Sequence, residues 1–247
     1  MHIRPIKTER FLPEQNLSEF ILKATDGINT GDVIAITSKI VSLAQNRLIP
    51  QDQIDKNALI LKEADKVLDT DQDTYGVKIT IKDDILIASA GIDASNANGY
   101  YILYPQNIRN TAKKLWHDIA NKKDIKDFGI LVTDSHTSPL RRGITGFALS
   151  WYGFDPIHDY KGAPDIDKKP LEYSELNIVD SLAASAVLNM GEADEQCPIA
   201  IIKNIPKIRF LNTDQKNSTT ARMEIPMEHD LYSPIFMSAK WMTPDKD

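Results

Sequence analysis

The stretch Gly31-Asp32-Val33-Ile34-Ala35-Ile36-Thr37-Ser38-Lys39 decides the fold class of this chain. A Gly-Asp pair opens it, and the short apolar run that follows, residues 33–37, is typical of a strand buried on both faces. The run ends abruptly at Ser38-Lys39. A hydroxyl and an ammonium group therefore follow directly after a buried strand.

Outward from this strand, the apolar spacing predicts a mixture of helices and further strands. Strands and helices do not alternate strictly, which favours an α+β fold of mixed β-sheets with packed helices over a doubly wound sheet. A segment rich in Lys, Asp, Gly and Pro at 159–173 predicts an exposed excursion from an otherwise single unit, 1–247. The predicted helices are 16–25, 53–68, 108–120 and 174–190, and the predicted strands are 75–81 and 85–88 (a hairpin), 100–104, 128–133 and 198–202.

Composition and charge exclude several classes of function. The chain has 247 residues, with 29 Lys and Arg against 35 Asp and Glu, a net charge of −6 that disfavours a nucleic-acid partner. Its apolar runs are too short to cross a membrane, and the N-terminus lacks a secretory signal, so we expect a cytoplasmic protein. Cys197 is the single cysteine, which excludes an internal disulfide.

Two acidic residues stand at the ends of apolar runs and are candidate ligands for a hard cation. Asp93 lies in a small, polar loop together with Ser95, and Asp134 follows the run 128–133 and precedes Ser135. Carboxylate and hydroxyl oxygens suit Mg²⁺ or Mn²⁺. The alternative reading is that both aspartates are ordinary turn formers.

Three further groups could bind phosphate or complete such a site. The usual Gly-rich phosphate-binding motifs are absent, but Lys39 could reach a phosphate. Arg141 and Arg142 could clamp phosphate or carboxylate groups, and Glu192, after the glycine that ends the last helix, could add a third carboxylate. Each also has a plain structural reading as a solvated surface charge.

Taken together, these segments resemble the coenzyme F-420:L-glutamate ligase family, the GTP-dependent γ-glutamyl ligases of the deazaflavin coenzyme. The resemblance covers roughly residues 5–203 and consists of separate motifs that occur in the family's order. They are Gly31-Asp32-Val33 through Thr37-Ser38-Lys39-Ile40-Val41-Ser42, Ala90-Gly91-Ile92-Asp93-Ala94-Ser95-Asn96, Val132-Thr133-Asp134-Ser135 with Pro139 and Arg141-Arg142-Gly143, and Met190-Gly191-Glu192.

The resemblance implies a fold of two interleaved subdomains, a homodimer, and a two-metal nucleotide site. The nucleotide, GTP or ATP, would phosphorylate the carboxylate of a small-molecule acceptor, and the amino group of L-glutamate would then attack the acyl phosphate. Ser135 stands where the family usually has Thr. The implied metal ligands are Asp93, Asp134, Ser135 and Glu192, the implied nucleotide contacts are Ser38, Lys39 and Asn96, and the implied catalytic residues are Lys39, Asp93 and Asp134.

The sequence departs from the family at three places. Leu43 stands where a second lysine is common, residues 136–138 replace an aromatic-Gly-Arg segment, and 11–16 lacks the Gly-Asp-Asp that often follows Pro-Glu. Some members of the family add glutamate to folates instead, and the change around His136 keeps both acceptors open. Two rival hypotheses are a nucleotide-binding protein without ligase activity and a metal-dependent phosphohydrolase that uses Asp93 and Asp134.

Overall fold

The structure, a computed structural model, describes residues 1–13, 15–70, 74–211 and 223–245. The helices are α1 Leu17–Ala24, α2 Ser38–Ala44, α3 Lys56–Glu63, α4 Ile108–Lys123, α5 Ile178–Met190 and α6 Ser233–Ser238. The strands are β1 His2–Ile6, β2 Val33–Thr37, β3 Leu48–Pro50, β4 Lys66–Leu68, β5 Ile79–Lys82, β6 Ile85–Ala88, β7 Tyr100–Ile102, β8 Gly129–Thr137, β9 Ile144–Tyr152, β10 Ile157–Asp159, β11 Glu175–Asn177, β12 Ile199–Lys203 and β13 Trp241–Met242.

A five-stranded mixed sheet forms the centre of the protein, in the order β1-β12-β2-β8-β9. The strand β2 is antiparallel to β12 and parallel to β8, and every residue from Val33 to Ile36 is fully buried. This confirms the prediction of a strand buried on both faces. Because successive side chains of a strand point to opposite faces, Ile34 and Ile36 enter one hydrophobic core and Val33 and Ala35 enter another.

Helices α1 and α4 cover the first face of the sheet. The side chain of Asn16 caps α1 by accepting a hydrogen bond from the backbone N–H of Glu19 at 3.2 Å. Helix α4 buries Ala112, Leu115 and Ile119 against the sheet. The apolar spacing from which both helices were predicted therefore corresponds to the faces that these helices bury.

Helix α5 covers the second face. It packs Val179, Leu182, Ala183 and Ala186 against the sheet. Glycine at position 146 in β9 allows this close approach, because a Cβ there would stand 2.6 Å from the carbonyl oxygen of Ala183. Helices thus lie on both sides of a mixed sheet, which confirms the α+β class.

A second, smaller part of the chain surrounds its own apolar cluster. Its four-stranded sheet has the order β13-β4-β5-β6, and β3 pairs with β7. Helix α3 contributes Leu59 and Ile60 to the cluster, and the loop before β7 contributes Ala90 and Ile92. This part positions the loop 91–99, which carries Asp93.

Several predicted boundaries were wrong. The helix predicted at 53–68 ends at Glu63, because residues 66–68 form the strand β4, which pairs with β5 on one side and with β13 on the other. The helix predicted at 174–190 begins only at Ile178, because 175–177 pair with β10. The first strand of the predicted hairpin begins at Ile79, and the strand predicted at 100–104 ends at Ile102.

The segment predicted as an exposed excursion lies between β10 and β11, and its side chains are mostly exposed. Within it the backbone folds back on itself through a bridge between Pro164 and Pro170. Among the described residues, no helix combines the length and the apolar composition that a membrane crossing requires.

Candidate active site

The end of β2 and the neighbouring part of β8 form one wall of the candidate site. The two strands run parallel, with Thr37 opposite Thr133. Ser38 therefore follows the paired residue of β2, and Asp134 follows the paired residue of β8. Ser38 is buried, and its side chain hydrogen-bonds the carboxyl group of Asp134. Helix α2 begins at Ser38 and is short.

The loop after β6 delivers Asp93 to the same place. Its backbone is fixed by two hydrogen bonds with Ile102, from Asp93 N to Ile102 O at 3.0 Å and from Ile102 N to Asp93 O at 2.7 Å. The turn before it holds Ser89 and Ala90 at positive φ. The Asp93 carboxylate also accepts bonds from the backbone N–H of Ser95 at 2.7 Å and from its hydroxyl at 2.9 Å. The backbone of Asp93 is therefore held by β7, and its side chain is held by Ser95 of its own loop.

Lys39 joins these two elements. Its Nζ lies 2.6 Å from Oδ2 of Asp93 and 3.2 Å from the Ser95 hydroxyl. Both charged side chains remain partly exposed, with 30% and 40% of their surfaces accessible. The ammonium group thus stands at the mouth of the site, where a ligand phosphate could also reach it.

Glu192 lies in the segment that follows α5, and it reaches the site from the face of the sheet that α5 covers. Its side chain hydrogen-bonds Ser135, which pairs with Gly146 and so points toward α5. Loss of solvent raises the pKa of Glu192, and the negative charges of Asp93 and Glu195 act in the same direction, while Lys39 lowers it. Glu192 therefore shares one electrostatic environment with Asp93 and Lys39.

Among the carboxyl groups of the site, that of Asp134 has the most strongly shifted pKa. Burial raises its pKa to about 6, and the charges of Asp93 and Glu192 add to this effect. Hydrogen bonds from the Ser135 backbone N–H, at 2.8 Å, and from Ser38 act in the opposite direction. Burial is therefore the main cause of the shift, and repulsion from the two neighbouring carboxylates adds to it.

These oxygens have the chemistry that a hard divalent cation requires, since carboxylates and hydroxyls are preferred ligands of Mg²⁺ and Mn²⁺. No group of three or more His, Cys, Asp or Glu side chains in the described part of the chain is arranged to hold one metal ion. Lys39 supplies the positive charge in its place. The chemical types of these ligands suit a divalent cation. To bind one ion together, the carboxylates would have to lie closer to each other than they do in this structure.

Asn96 lies beside these residues at the outer edge of the loop. Its side-chain Nδ2 donates to the carbonyl of Ala193 at 3.4 Å, close to Glu192. Its own carbonyl accepts a hydrogen bond from Arg10 at 3.0 Å. Arg10 was not predicted as part of the site, because an arginine in a polar N-terminal segment has no periodic pattern around it.

The two adjacent arginines make no described contact with the site residues around Lys39 and Asp93. Arg141 and Arg142 are exposed in the loop between β8 and β9. His136 lies closer, on β8, and its ring contacts Phe147 with centroids 4.5 Å apart. Burial lowers the pKa of His136, and Asp180 opposes that shift.

A conserved-sequence model describing the F420-0:gamma-glutamyl ligases matches residues 5–204 of this chain. The coenzyme F420:L-glutamate ligase of Methanopyrus kandleri is 29% identical over 224 residues, covering 83% of this chain and 87% of the relative. The enzyme of the same name from Methanocaldococcus jannaschii is 32% identical over 208 residues, covering 77% and 82%.

The class of protein is therefore a ligase, built as an α+β fold with an acidic site at its strand ends. More particularly, the chain belongs to the F420-0:gamma-glutamyl ligase family. The resemblance drawn from the ordered motifs is confirmed.

Proposed function

We propose that this protein is a nucleotide-dependent γ-glutamyl ligase that joins L-glutamate to an acceptor carboxylate through an acyl phosphate. The observation that carries the proposal is the convergence of Lys39 with Asp93, Asp134 and Glu192, in a member of a ligase family. The names of the relatives specify L-glutamate and coenzyme F420, which supports these two kinds of reactant.

In the first step, an oxygen of the acceptor carboxylate attacks the γ-phosphorus of GTP or ATP, and the nucleoside diphosphate leaves. The ammonium of Lys39 would balance charge on the transferring phosphoryl group. Ser38 and Asn96 would hold the nucleotide beside it. The exposed position of Lys39 at the mouth of the site supports this role, because a phosphate can approach it from solvent.

In the second step, the amino nitrogen of L-glutamate attacks the acyl carbon, phosphate leaves, and the nitrogen gives up a proton to form the amide. Asp93, Asp134, Ser135 and Glu192 would hold Mg²⁺ or Mn²⁺ in a two-metal site. When bound, such ions supply charge neutralisation at the phosphates. The repulsion that Asp93 and Glu192 exert on Asp134 supports this assignment, because a bound cation would relieve it.

The acceptor is a small molecule that carries a carboxylate, either the deazaflavin precursor or a reduced folate. We propose a cytoplasmic homodimer, with neither nucleic acid nor membrane as a partner. The decisive experiment is mass spectrometry of the products after incubation with L-glutamate, Mg²⁺ or Mn²⁺, GTP or ATP, and each acceptor in turn. The proposal expects the mass of one or more glutamyl units on one acceptor, with the nucleoside diphosphate as co-product.

One observation favours a second candidate, a nucleotide-binding protein of this fold without ligase activity. Leu43 packs against the hydrophobic core where the family commonly has a second lysine, so that charge is missing from the site. This candidate expects GTP binding without glutamate-dependent turnover. Phosphate release that does not need glutamate would instead indicate a phosphohydrolase.

A further inference from the structure

The turn that precedes Asp93 has an unusual backbone. Ser89, Ala90 and Gly91 all have positive φ, at +50°, +55° and +71°, and this is the longest such run in the part of the chain that the structure describes. Residues other than glycine rarely adopt this left-handed conformation, because it brings Cβ too close to the following carbonyl oxygen. Ser89 and Ala90 therefore need contacts from their surroundings to remain in it.

The hydroxyl group of Thr80 supplies such a contact from the neighbouring strand β5. It accepts a hydrogen bond from the backbone N–H of Ala90 at 2.8 Å, and it donates one to the carbonyl oxygen of Ile87. Thr80 is fully buried, so solvent does not compete for these bonds. Loss of the hydroxyl would leave the buried N–H of Ala90 without its acceptor, which costs more than the loss of an exposed hydrogen bond.

Close packing fixes the next residue of the same turn. A Cβ at Gly91 would stand 2.8 Å from Cδ2 of the Tyr104 ring, so the ring lies directly against the backbone there. The side chain of Ala90 is itself fully buried in the apolar cluster of the smaller part of the protein. The turn 89–91 is therefore held at two successive residues, by a hydrogen bond at Ala90 and by packing at Gly91.

We propose that Thr80 is a positioning residue for the ligase reaction, which keeps the turn 89–91 in its left-handed conformation and thereby sets the place of Asp93. Asp93 comes two residues after this turn, and its carboxylate lies 2.6 Å from the ammonium of Lys39. Thr80 lies in β5 and acts on the site through Asp93. The inference rests on the proposed function, in which Lys39 balances charge on the transferring phosphoryl group.

Hydrogen exchange, followed by mass spectrometry on the full-length protein without substrates, tests the hold on Asp93. Thr80→Val removes the hydroxyl and keeps the size and β-branching of the side chain. In this variant the peptides that cover residues 89–102 should exchange at least about tenfold faster, because the segment opens more easily once the Ala90 N–H has lost its acceptor. These peptides contain the amides of Asp93 and Ile102, each of which donates to the carbonyl of the other.

Thr25→Val is the matched control. Thr25 is also fully buried, and its hydroxyl also donates to a backbone carbonyl, that of Ile21 at 2.7 Å, but it lies at the end of α1. This variant should leave exchange in 89–102 unchanged. Thr80→Ser restores the hydroxyl and should return exchange in 89–102 close to that of the unmodified protein. If Thr80→Val does not fold, Thr80→Ala takes its place, with Thr25→Ala as the control.

Steady-state kinetics of glutamylation test the consequence for the reaction. Thr80→Val should lower kcat at least about tenfold, because a small displacement of a group beside the reacting atoms acts on the transition state. The KM for L-glutamate should stay within about twofold, since the binding of glutamate does not depend on Lys39. Thr25→Val should keep the kcat of the unmodified protein, and Thr80→Ser should recover most of it.

Two results would overturn the proposal. One is equal exchange in 89–102 for Thr80→Val and Thr25→Val, and the other is a Thr80→Ser variant that behaves as Thr80→Val does. Faster exchange in Thr80→Val with recovery in Thr80→Ser, but no glutamylation by the unmodified protein, would retain the hold of Thr80 on Asp93 and remove the ligase function. Glutamylation by the unmodified protein, with equal kcat in the two valine variants, would retain the ligase function and remove the positioning role.

Discussion

The ammonium of Lys39 lies 2.6 Å from the carboxylate of Asp93, although Lys39 lies in the first turn of the helix after the central strand and Asp93 in a loop of the smaller part of the protein. This contact joins the two parts at the candidate site. It also leaves a single described lysine to balance three carboxylates whose charges act on one another.

Replacing Lys39 with methionine should remove that balance. Lys39→Met should lower kcat/KM for glutamylation by about 100-fold or more, because the charge on the transferring phosphoryl group loses its cation. Steady-state kinetics measure this, with Lys62→Met on the exposed side of α3 as the control. Turnover of Lys39→Met equal to that of the control would contradict the role given to Lys39.

The carboxylates can be tested through nucleotide binding. Asp93→Ala and Asp134→Ala should each abolish the Mg²⁺- or Mn²⁺-dependent part of GTP binding, because each removes a proposed metal ligand. Isothermal titration calorimetry with and without a chelator measures it. Asp26→Ala, at an exposed surface ion pair with Lys123, should bind as the unmodified protein does. Metal-dependent binding that survives in both test variants would rule out this site.

A pair of glycine substitutions tests the packing of α4 against the sheet. Gly153 and Gly143 both have positive φ, at +99° and +89°, so alanine adds similar backbone strain at each. At Gly153 the new Cβ would stand 2.4 Å from the carbonyl oxygen of Phe128, which accepts the Trp116 indole N–H, whereas at Gly143 it meets open space. Gly153→Ala should lower the free energy of unfolding by about 1–3 kcal/mol more than Gly143→Ala. Equal losses in urea denaturation would show that the contact relaxes without cost.

The link between α1 and α4 should depend on pH. Burial acts to raise the pKa of Asp118, but hydrogen bonds from Lys114 and Ser18 outweigh it and lower that pKa below its ordinary value of 3.8. A lowered folded-state pKa stabilises the fold above pH 3.8, and this stabilisation is lost as the pH falls through the folded-state value. Ser18→Ala should therefore cost about 0.5–1 kcal/mol at pH 7 and less near pH 3.

The measurement is urea denaturation of Ser18→Ala at both pH values, alongside Ser18→Ala in an Asp118→Asn background. In that background the pH dependence of the Ser18→Ala effect should disappear. An effect of Ser18→Ala that is equally large at pH 3 and pH 7 in the unmodified background would show that the charge of Asp118 does not contribute.

The sequence predicted the elements that bury a continuous apolar face, such as β2 and α4, because burial imposes a periodic pattern on their residues. It missed β1, which mixes polar with apolar residues and includes Pro5, because an edge strand pairs on one side alone and tolerates proline. It also merged β4 into a helix, because three residues are too few to show alternation. Local pattern does not record which distant strand a short segment will join.

The candidate site was predicted in parts. Asp93, Asp134 and Glu192 follow apolar elements, where a polar residue is conspicuous, and the ordered motifs linked them. Their separations in space were beyond the sequence, because they depend on the parallel pairing of β2 with β8 and on the path of the loop 91–99.

The insertion of β12 between β1 and β2 sets an order for biosynthesis. A ribosome makes β1 before the other strands of the central sheet, yet its partner β12 is the last strand of that sheet to emerge. Until then, β1 has no neighbour and β2 keeps an open edge of unpaired amides, which is the kind of edge that seeds aggregation. We therefore expect the nascent chain to depend on chaperones until residues 199–203 have left the ribosome.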